Sequence, residues 1–138
     1  MKKRFAQLVW KGTGKEGAGH FTTESRSLNN TLFNYQSRFE DGPGTTPEEL
    51  LAAAHAGCFT MKIAFLVNAK GFTADSLDTK CEISMGGGSI SASHLNLTAR
   101  VPGISKEDFD AVVKEAAEKC MVTVLFNAPT TYEAVLEG

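Results

Sequence analysis

The sequence lacks the features that mark nucleic-acid-binding, secreted and membrane-spanning proteins. Its 138 residues carry a formal net charge of −2, whereas nucleic-acid-binding domains show a basic surplus. The basic start Met1–Arg4 is not followed by an apolar run as long as that of a signal peptide. The most apolar segment, residues 47–69, contains Glu48, Glu49 and Lys62, which disfavours a membrane span. We therefore expect a cytoplasmic protein that binds neither nucleic acid nor membrane.

Cysteine is also scarce, with three residues, Cys58, Cys81 and Cys120. An odd count in a compartment that keeps thiols reduced argues against a structural disulfide framework. Cys81 falls on the apolar face of a predicted strand, and free cysteine is among the most buried residue types, so we interpret it as core filler. Cys58 and Cys120 fall in predicted helices. Core filling is the favoured interpretation for them too, and spacing alone keeps a functional thiol pair as the alternative.

Two patterns could indicate a cofactor site or a metal site, but neither is complete in this sequence. Gly12–Gly17 matches the dinucleotide fingerprint G-x-G-x-x-G, but that fingerprint needs a helix directly after it, and a strand is predicted there. A hairpin turn is the better interpretation. His55, Cys58 and Cys120 could be imagined as metal ligands, yet a structural zinc site needs four. We therefore predict no metal and no cofactor.

The first half of the chain shows two strands, at 4–10 and 19–25, around that glycine-rich turn. A third short strand is predicted at 33–39, and it carries Arg38. Residues 40–45 are turn formers and predict a connecting loop.

A long helix follows, and its ends are well marked. Thr46 is a predicted N-cap, Pro47 fits the first helical position, and Glu49 completes a capping box. The pattern continues to about Ala69, where Gly71 provides a stop. Because this helix is apolar on nearly every face, it must be covered on every face. One small sheet covers only one side, so we expect a second subunit to cover the rest.

The second half predicts strands at 76–85 and 90–101, a helix capped by Ser105 that ends near Cys120, and a closing strand at 131–136. Strand clusters around helices indicate an α+β fold. We expect one domain over 1–138.

Several of these residues resemble one known family. They are Arg38, the run Thr46-Pro-Glu-Glu-Leu-Leu-Ala-Ala-Ala-His-Ala-Gly-Cys58-Phe59, the segment Val101-Pro-Gly-Ile104 and the late Cys120. The chain resembles, over nearly its whole length, the osmotically induced protein C (OsmC) family, which is related to the organic hydroperoxide resistance proteins. The motif Ala-His-Ala-Gly-Cys, which ends at Cys58, favours the OsmC branch of the family. The resemblance implies antiparallel sheets around a long buried central helix, in an intertwined homodimer with two active sites at the interface.

The resemblance also implies roles for four residues. Cys58 matches the peroxidatic cysteine, Cys120 matches the resolving cysteine, and Arg38 and Glu48 match the family's arginine–glutamate pair. One departure is visible: where the family often has Cys-Pro-Val/Ile-Ser, this chain has Cys120-Met-Val-Thr123. The implied activity is a thiol-dependent reduction of organic hydroperoxides to alcohols in oxidative or osmotic stress defence. The partners would be an organic hydroperoxide and a dithiol reductant of the lipoyl or thioredoxin type.

Physical chemistry adds one expectation about geometry. A thiolate inside an apolar site needs a nearby cation, and Arg38 is suited because it stays charged. Glu48 would in turn balance that arginine. Glu48 and Cys58 stand ten positions apart (58 − 48) on one predicted helix, which is about 15 Å of rise. We therefore expect Arg38 and Glu48 to act on Cys58 of the partner subunit. The alternative is a non-catalytic dimeric protein that binds a small molecule.

Overall fold

Ten helices and strands follow one another in the computed structural model, which describes residues 1–138. In chain order they are β1 (Ala6–Lys11), β2 (Ala18–Thr23), β3 (Thr31–Phe33), α1 (Tyr35–Phe39), α2 (Pro47–Ala69), β4 (Ser76–Gly86), β5 (Ser89–Arg100), α3 (Lys106–Lys119), α4 (Met121–Leu125) and β6 (Thr130–Glu137). The chain divides into two compact units, Met1–Leu50 and Leu51–Gly138.

The first unit holds a three-stranded antiparallel sheet in the order β1-β2-β3. The glycine-rich segment between β1 and β2 is a hairpin turn, as predicted. Gly12 has a φ of +99°, and a side chain at Gly17 would collide with the Lys11 carbonyl oxygen. These glycines therefore serve a tight turn in place of a nucleotide-binding loop.

The strand predicted at 33–39 is wrong over most of its length. β3 ends at Phe33, and Arg38 lies on the short helix α1. The cause is a capping box: the Asn34 side chain accepts the Ser37 N–H at 2.8 Å, and the Ser37 hydroxyl accepts the Asn34 N–H at 3.0 Å. This reciprocal pair satisfies two backbone donors at a helix start, which a continuing strand would leave to other partners.

Helix α2 has the predicted bounds. The Thr46 hydroxyl accepts the Glu49 N–H at 3.0 Å, which caps its start. The Glu49 carboxylate accepts the Thr45 hydroxyl at 2.8 Å, so only half of the predicted capping box forms. At the other end Gly71 adopts a φ of +91°, a conformation that glycine reaches without steric cost.

The second unit holds a sheet in the order β4-β5-β6. β4 and β5 are antiparallel, but β6 is parallel to β5, from Ser93↔Thr130 to Arg100↔Glu137. The expectation of antiparallel sheets is therefore wrong for this edge. The reason lies in the connection: α3 and α4 carry the chain across before it returns, and a parallel pair requires such a crossover.

The core of the second unit lies among α2, β5 and α3. α2 contributes one buried stripe with a spacing of four residues: His55, Phe59, Ile63 and Val67. The opposite stripe of α2 is apolar yet exposed, with Met61 at 63% and Phe65 at 67% of full exposure. By length and composition α2 is also apolar enough to cross a membrane, a property that core helices of soluble proteins share. The helix expected to be buried is thus buried along one stripe within the chain.

The Asn34 cap yields a stability prediction. Asn34→Ala removes the side-chain acceptor at the start of α1 and should lower the free energy of unfolding by about 1 kcal/mol. Urea denaturation would measure the loss. Asn29→Ala, at an exposed position in the connection between β2 and β3, is the control and should leave the midpoint unchanged. Equal midpoints for both variants would show that the capping box does not stabilise α1.

Candidate active site

Arg38 and Glu48 form an ion pair in the first unit. Arg38 Nε and Nη2 both donate to Glu48 Oε1, at 3.0 Å and 2.7 Å. The Glu48 side chain is 11% exposed and that of Arg38 is 38% exposed. Glu48 Oε2 is buried without a hydrogen-bond partner in the chain. The α1 cap and the α2 start therefore fix a guanidinium beside a carboxylate that keeps one acceptor free.

Cys58 and Cys120 lie together in the second unit. Both line an open groove of about 620 Å³, whose other lining residues are Gly57, Met61, Lys62, Phe65, Lys119 and Met121. Cys58 is half-buried on α2, and Cys120 is 2% exposed; both are free thiols. The walls are mainly apolar and two lysines border them. The groove thus offers an apolar molecule access to a thiol, with a second thiol beneath the same surface.

Cys120 occupies a corner between two helices. Its N–H donates to the Ala116 carbonyl at 3.1 Å, which closes α3, and its carbonyl accepts the Val124 N–H at 3.1 Å, which starts α4. Cys120 is therefore both the C-cap of α3 and the N-cap of α4. Helix α4 was not predicted. Met121 holds its first position, where the family often has proline, a residue that the first helical position tolerates well.

A chain of buried polar contacts runs inward from Cys120. Cys120 Sγ lies 3.1 Å from Thr123 Oγ1, which lies 2.7 Å from His55 Nε2. His55 Nδ1 lies 2.6 Å from Ser93 Oγ, and Cys81 Sγ lies 3.3 Å from that same oxygen. His55 and Ser93 are fully buried. Five side chains, on α2, β4, β5, α4 and the corner between α3 and α4, are thereby joined in one line.

Burial sets the protonation of two members of this chain. Removal from water lowers the pKa of His55 below its ordinary 6.5, which keeps the imidazole neutral at pH 7. Burial raises the pKa of the Cys81 thiol, against a smaller lowering by the Ser93 hydrogen bond, and the Glu82 charge raises it further. Cys81 also packs against the hydrophobic core, in line with its interpretation as core filler. Its contact with Ser93 was missed, because serine at a core-facing strand position carries no special sequence signal.

The structure brings the four predicted site residues together as two pairs. Arg38 pairs with Glu48, and Cys58 shares its groove with Cys120. Glu48 and Cys58 stand on the same unbroken helix, ten positions apart (58 − 48), so about 15 Å of helical rise separates them.

The pattern of residues 40–134 matches the model of the family described as OsmC-like protein. The chain belongs to the OsmC-like family. The match includes Glu48, Cys58 and Cys120, while Arg38 lies two positions before it. The resemblance drawn from the sequence is thereby confirmed.

Relatives and solved structures match nearly the full length of the chain. The OsmC-like chain is 36% identical over 136 residues to proteins named Peroxiredoxin OsmC of Escherichia coli (strain K12) and of Shigella flexneri, covering 96% of this chain and 95% of each relative. Its fold is similar to that of an OsmC-like protein of unknown function from Vibrio cholerae, with a TM-score of 0.76, 16% identity and coverage of 98% and 100%. The organic hydroperoxide resistance protein OhrB of Bacillus subtilis gives a TM-score of 0.66 at 20% identity, with coverage of 96% and 98%. The fold is thus the OsmC-like α+β fold with two sheets and helices.

The buried imidazole predicts how stability depends on pH. The folded chain resists protonating His55, whereas the unfolded chain takes up that proton near pH 6.5. The free energy of unfolding should therefore hold above pH 6.5 and fall below it, by up to about 1.4 kcal/mol per pH unit for this group. Urea midpoints at several pH values, for wild type and His55→Gln, would measure it. The slope should be shallower in His55→Gln and unchanged in the exposed control His20→Gln; equal slopes in all three would contradict the assignment.

Proposed function

We propose that this OsmC-like protein is a thiol-dependent peroxidase that reduces organic hydroperoxides to alcohols. The observation that carries the proposal is the apolar groove that holds Cys58 half-buried and Cys120 beneath the same surface. The relatives named Peroxiredoxin OsmC support it. We further propose that it acts in the cytoplasm, in oxidative or osmotic stress defence.

The reaction runs in three steps. The Cys58 thiolate attacks one peroxide oxygen, the O–O bond breaks, and the alkoxide leaves and takes up a proton to become the alcohol. Cys58 is then a sulfenic acid, which condenses with Cys120 to form a disulfide and water. A dithiol reductant of the lipoyl or thioredoxin type restores both thiols by exchange. The apolar walls formed by Met61, Phe65 and Met121 favour a hydroperoxide with a hydrocarbon body over hydrogen peroxide.

The Arg38–Glu48 pair serves Cys58 of a partner subunit in a homodimer. The separation of Glu48 and Cys58 along α2 supports this arrangement, since one chain cannot fold its own helix back on itself. The exposed apolar stripe of α2 with Met61 and Phe65 supports it too, because such a surface is covered in stable soluble proteins. At the site Arg38 stabilises the Cys58 thiolate and the leaving alkoxide. Glu48 orients the guanidinium, and its free Oε2 can accept the hydroperoxide O–H.

Substitution of each cysteine separates the three steps. Cys58→Ser should abolish consumption of cumene hydroperoxide, because serine offers no thiolate. Cys120→Ser should still oxidise once and accumulate a sulfenic acid at Cys58 that dimedone traps. Cys81→Ser is the matched control and should keep nearly full turnover. Substantial turnover in Cys58→Ser, with dithiothreitol as reductant, would refute the assignment of the peroxidatic cysteine.

Mixing two inactive variants tests the contribution of the partner subunit. Cys58→Ser and Arg38→Ala should each be inactive as homodimers. After subunit exchange, one site of each heterodimer combines an intact Cys58 with an intact Arg38, and the other site carries both lesions. Random exchange should give about half of the dimers one working site. If mass spectrometry confirms heterodimers and activity does not return, Arg38 acts within its own chain.

A further inference from the structure

None of the three steps of the proposed peroxidase reaction uses His55, although this residue is the most polar group on the buried stripe of α2. An imidazole with no exposed surface and a hydroxyl on each ring nitrogen is costly to place in a core, where an apolar side chain would pack at no desolvation cost. Its hydrogen bonds lead to Cys120 on one side and to Cys81 on the other. The phenyl ring of Phe126 packs edge-on against the imidazole, with the ring centroids 5.0 Å apart.

We propose that Thr123 and His55 form a proton relay that removes the proton of the Cys120 thiol when Cys120 resolves the sulfenic acid. The proposal rests on the peroxidase function proposed above and extends it to the second step. Thr123 touches the reacting sulfur at 3.1 Å, and His55 acts through Thr123 as a positioning residue that takes up the proton.

The order of proton transfers is set by the atoms in the chain. The Cys120 S–H donates to Thr123 Oγ1 while the Thr123 hydroxyl hands its own proton to His55 Nε2. Cys120 Sγ attacks Cys58 Sγ, the S–O bond of the sulfenic acid breaks, and hydroxide leaves into the groove. The proton on His55 returns through the hydroxyl of Thr123, which is only partly buried, and neutralises that hydroxide. The sum is one disulfide and one water, with no oxidant beyond the hydroperoxide already consumed.

Neutral His55 can accept from Thr123 because Nδ1 can carry its proton and donate it to Ser93 Oγ at 2.6 Å. Burial lowers the pKa of His55, so the imidazole is free to accept a proton at neutral pH and gives it up readily afterwards. The hydroxyl of Thr123 is the essential link. Here the chain has threonine where the family often has serine, and the structure retains the hydroxyl contact with Cys120.

The charged and titratable groups around the relay are few. The Cys81 thiol of β4 approaches His55 Nδ1 at 4.0 Å, with Glu82 next to it in sequence. β5 and α4 contribute only the hydroxyls of Ser93 and Thr123 to the imidazole. Lys62 and Lys119 share the groove with Cys120. His55 is therefore the one group in the line whose neutral form can take up the thiol proton in passing, before giving it up again.

The test compares Thr123→Val, which keeps the shape and removes the hydroxyl, with Thr123→Ser, which keeps the hydroxyl. Each full-length variant receives one equivalent of cumene hydroperoxide. Dimedone labelling reports the sulfenic acid at Cys58, and mass spectrometry of alkylated peptides reports the Cys58–Cys120 disulfide. Sulfenic acid formation should match wild type in both variants. Disulfide formation at pH 7 should slow at least about tenfold in Thr123→Val, because a positioned proton acceptor typically contributes about 10²–10⁴-fold to the rate. It should stay near wild type in Thr123→Ser.

The pH profile distinguishes proton transfer from simple misplacement. In Thr123→Val the disulfide step should depend on thiolate formed by solvent, so its deficit against wild type should shrink as the pH rises. His55→Gln should show the same pH-dependent deficit. A deficit of equal size at every pH, or a wild-type rate in Thr123→Val at pH 7, would overturn the relay. Failure of wild type to form any sulfenic acid at Cys58 would refute the peroxidase function itself, and the relay with it.

Discussion

Helix α2 carries apolar side chains on nearly every face, and most of the site depends on how those faces are covered. One stripe, with Phe59, Ile63 and Val67, enters the core of the second unit. The same stripe carries His55, which contacts Thr123 beside Cys120. A quarter turn away, Cys58 lies half-buried at the groove itself. Packing this stripe of α2 into the core therefore fixes the positions of both the Cys58 thiol and the buried His55 imidazole.

The sequence predicts α2 closely because its ends depend on local chemistry. Thr46 and Gly71 act through backbone hydrogen bonds and a positive φ within a few residues, and both do so in the structure. The alternation in β4 and β5 is equally local, and it places Leu95, Leu97 and Ala99 in the core as expected. The OsmC-like family was likewise recognisable from the motif that ends in Cys58.

The errors arise where a longer-range constraint decides. Phe33 to Phe39 resembles a strand in composition, yet the Asn34–Ser37 capping box turns it into a helix and changes the setting of Arg38. β6 was predicted as a strand, but its parallel pairing with β5 depends on the crossover through α3 and α4. At the centre of the polar line from Cys120 to Cys81, His55 contacts residues that lie 26 to 68 positions away from it in the sequence. No local sequence pattern reveals contacts of that range.

The two thiols differ in environment in a way that suits successive reactions. Cys58 meets the groove and can reach an apolar hydroperoxide, whereas Cys120 is 2% exposed and is held by backbone hydrogen bonds at the α3–α4 corner. A thiol so enclosed depends on neighbouring groups for proton transfer, and the proposed Thr123–His55 relay provides them. Cys81 ends that line as a half-buried thiol with a raised pKa, and so stays protonated and unreactive.

Counting thiols before and after oxidation tests the central claim most directly. The chain has three cysteines, all free in the structure. After one equivalent of cumene hydroperoxide, titration under denaturing conditions should find one thiol where there were three, and peptide mapping should find Cys58 joined to Cys120 with Cys81 still free. Retention of all three thiols, or a disulfide that contains Cys81, would contradict the account.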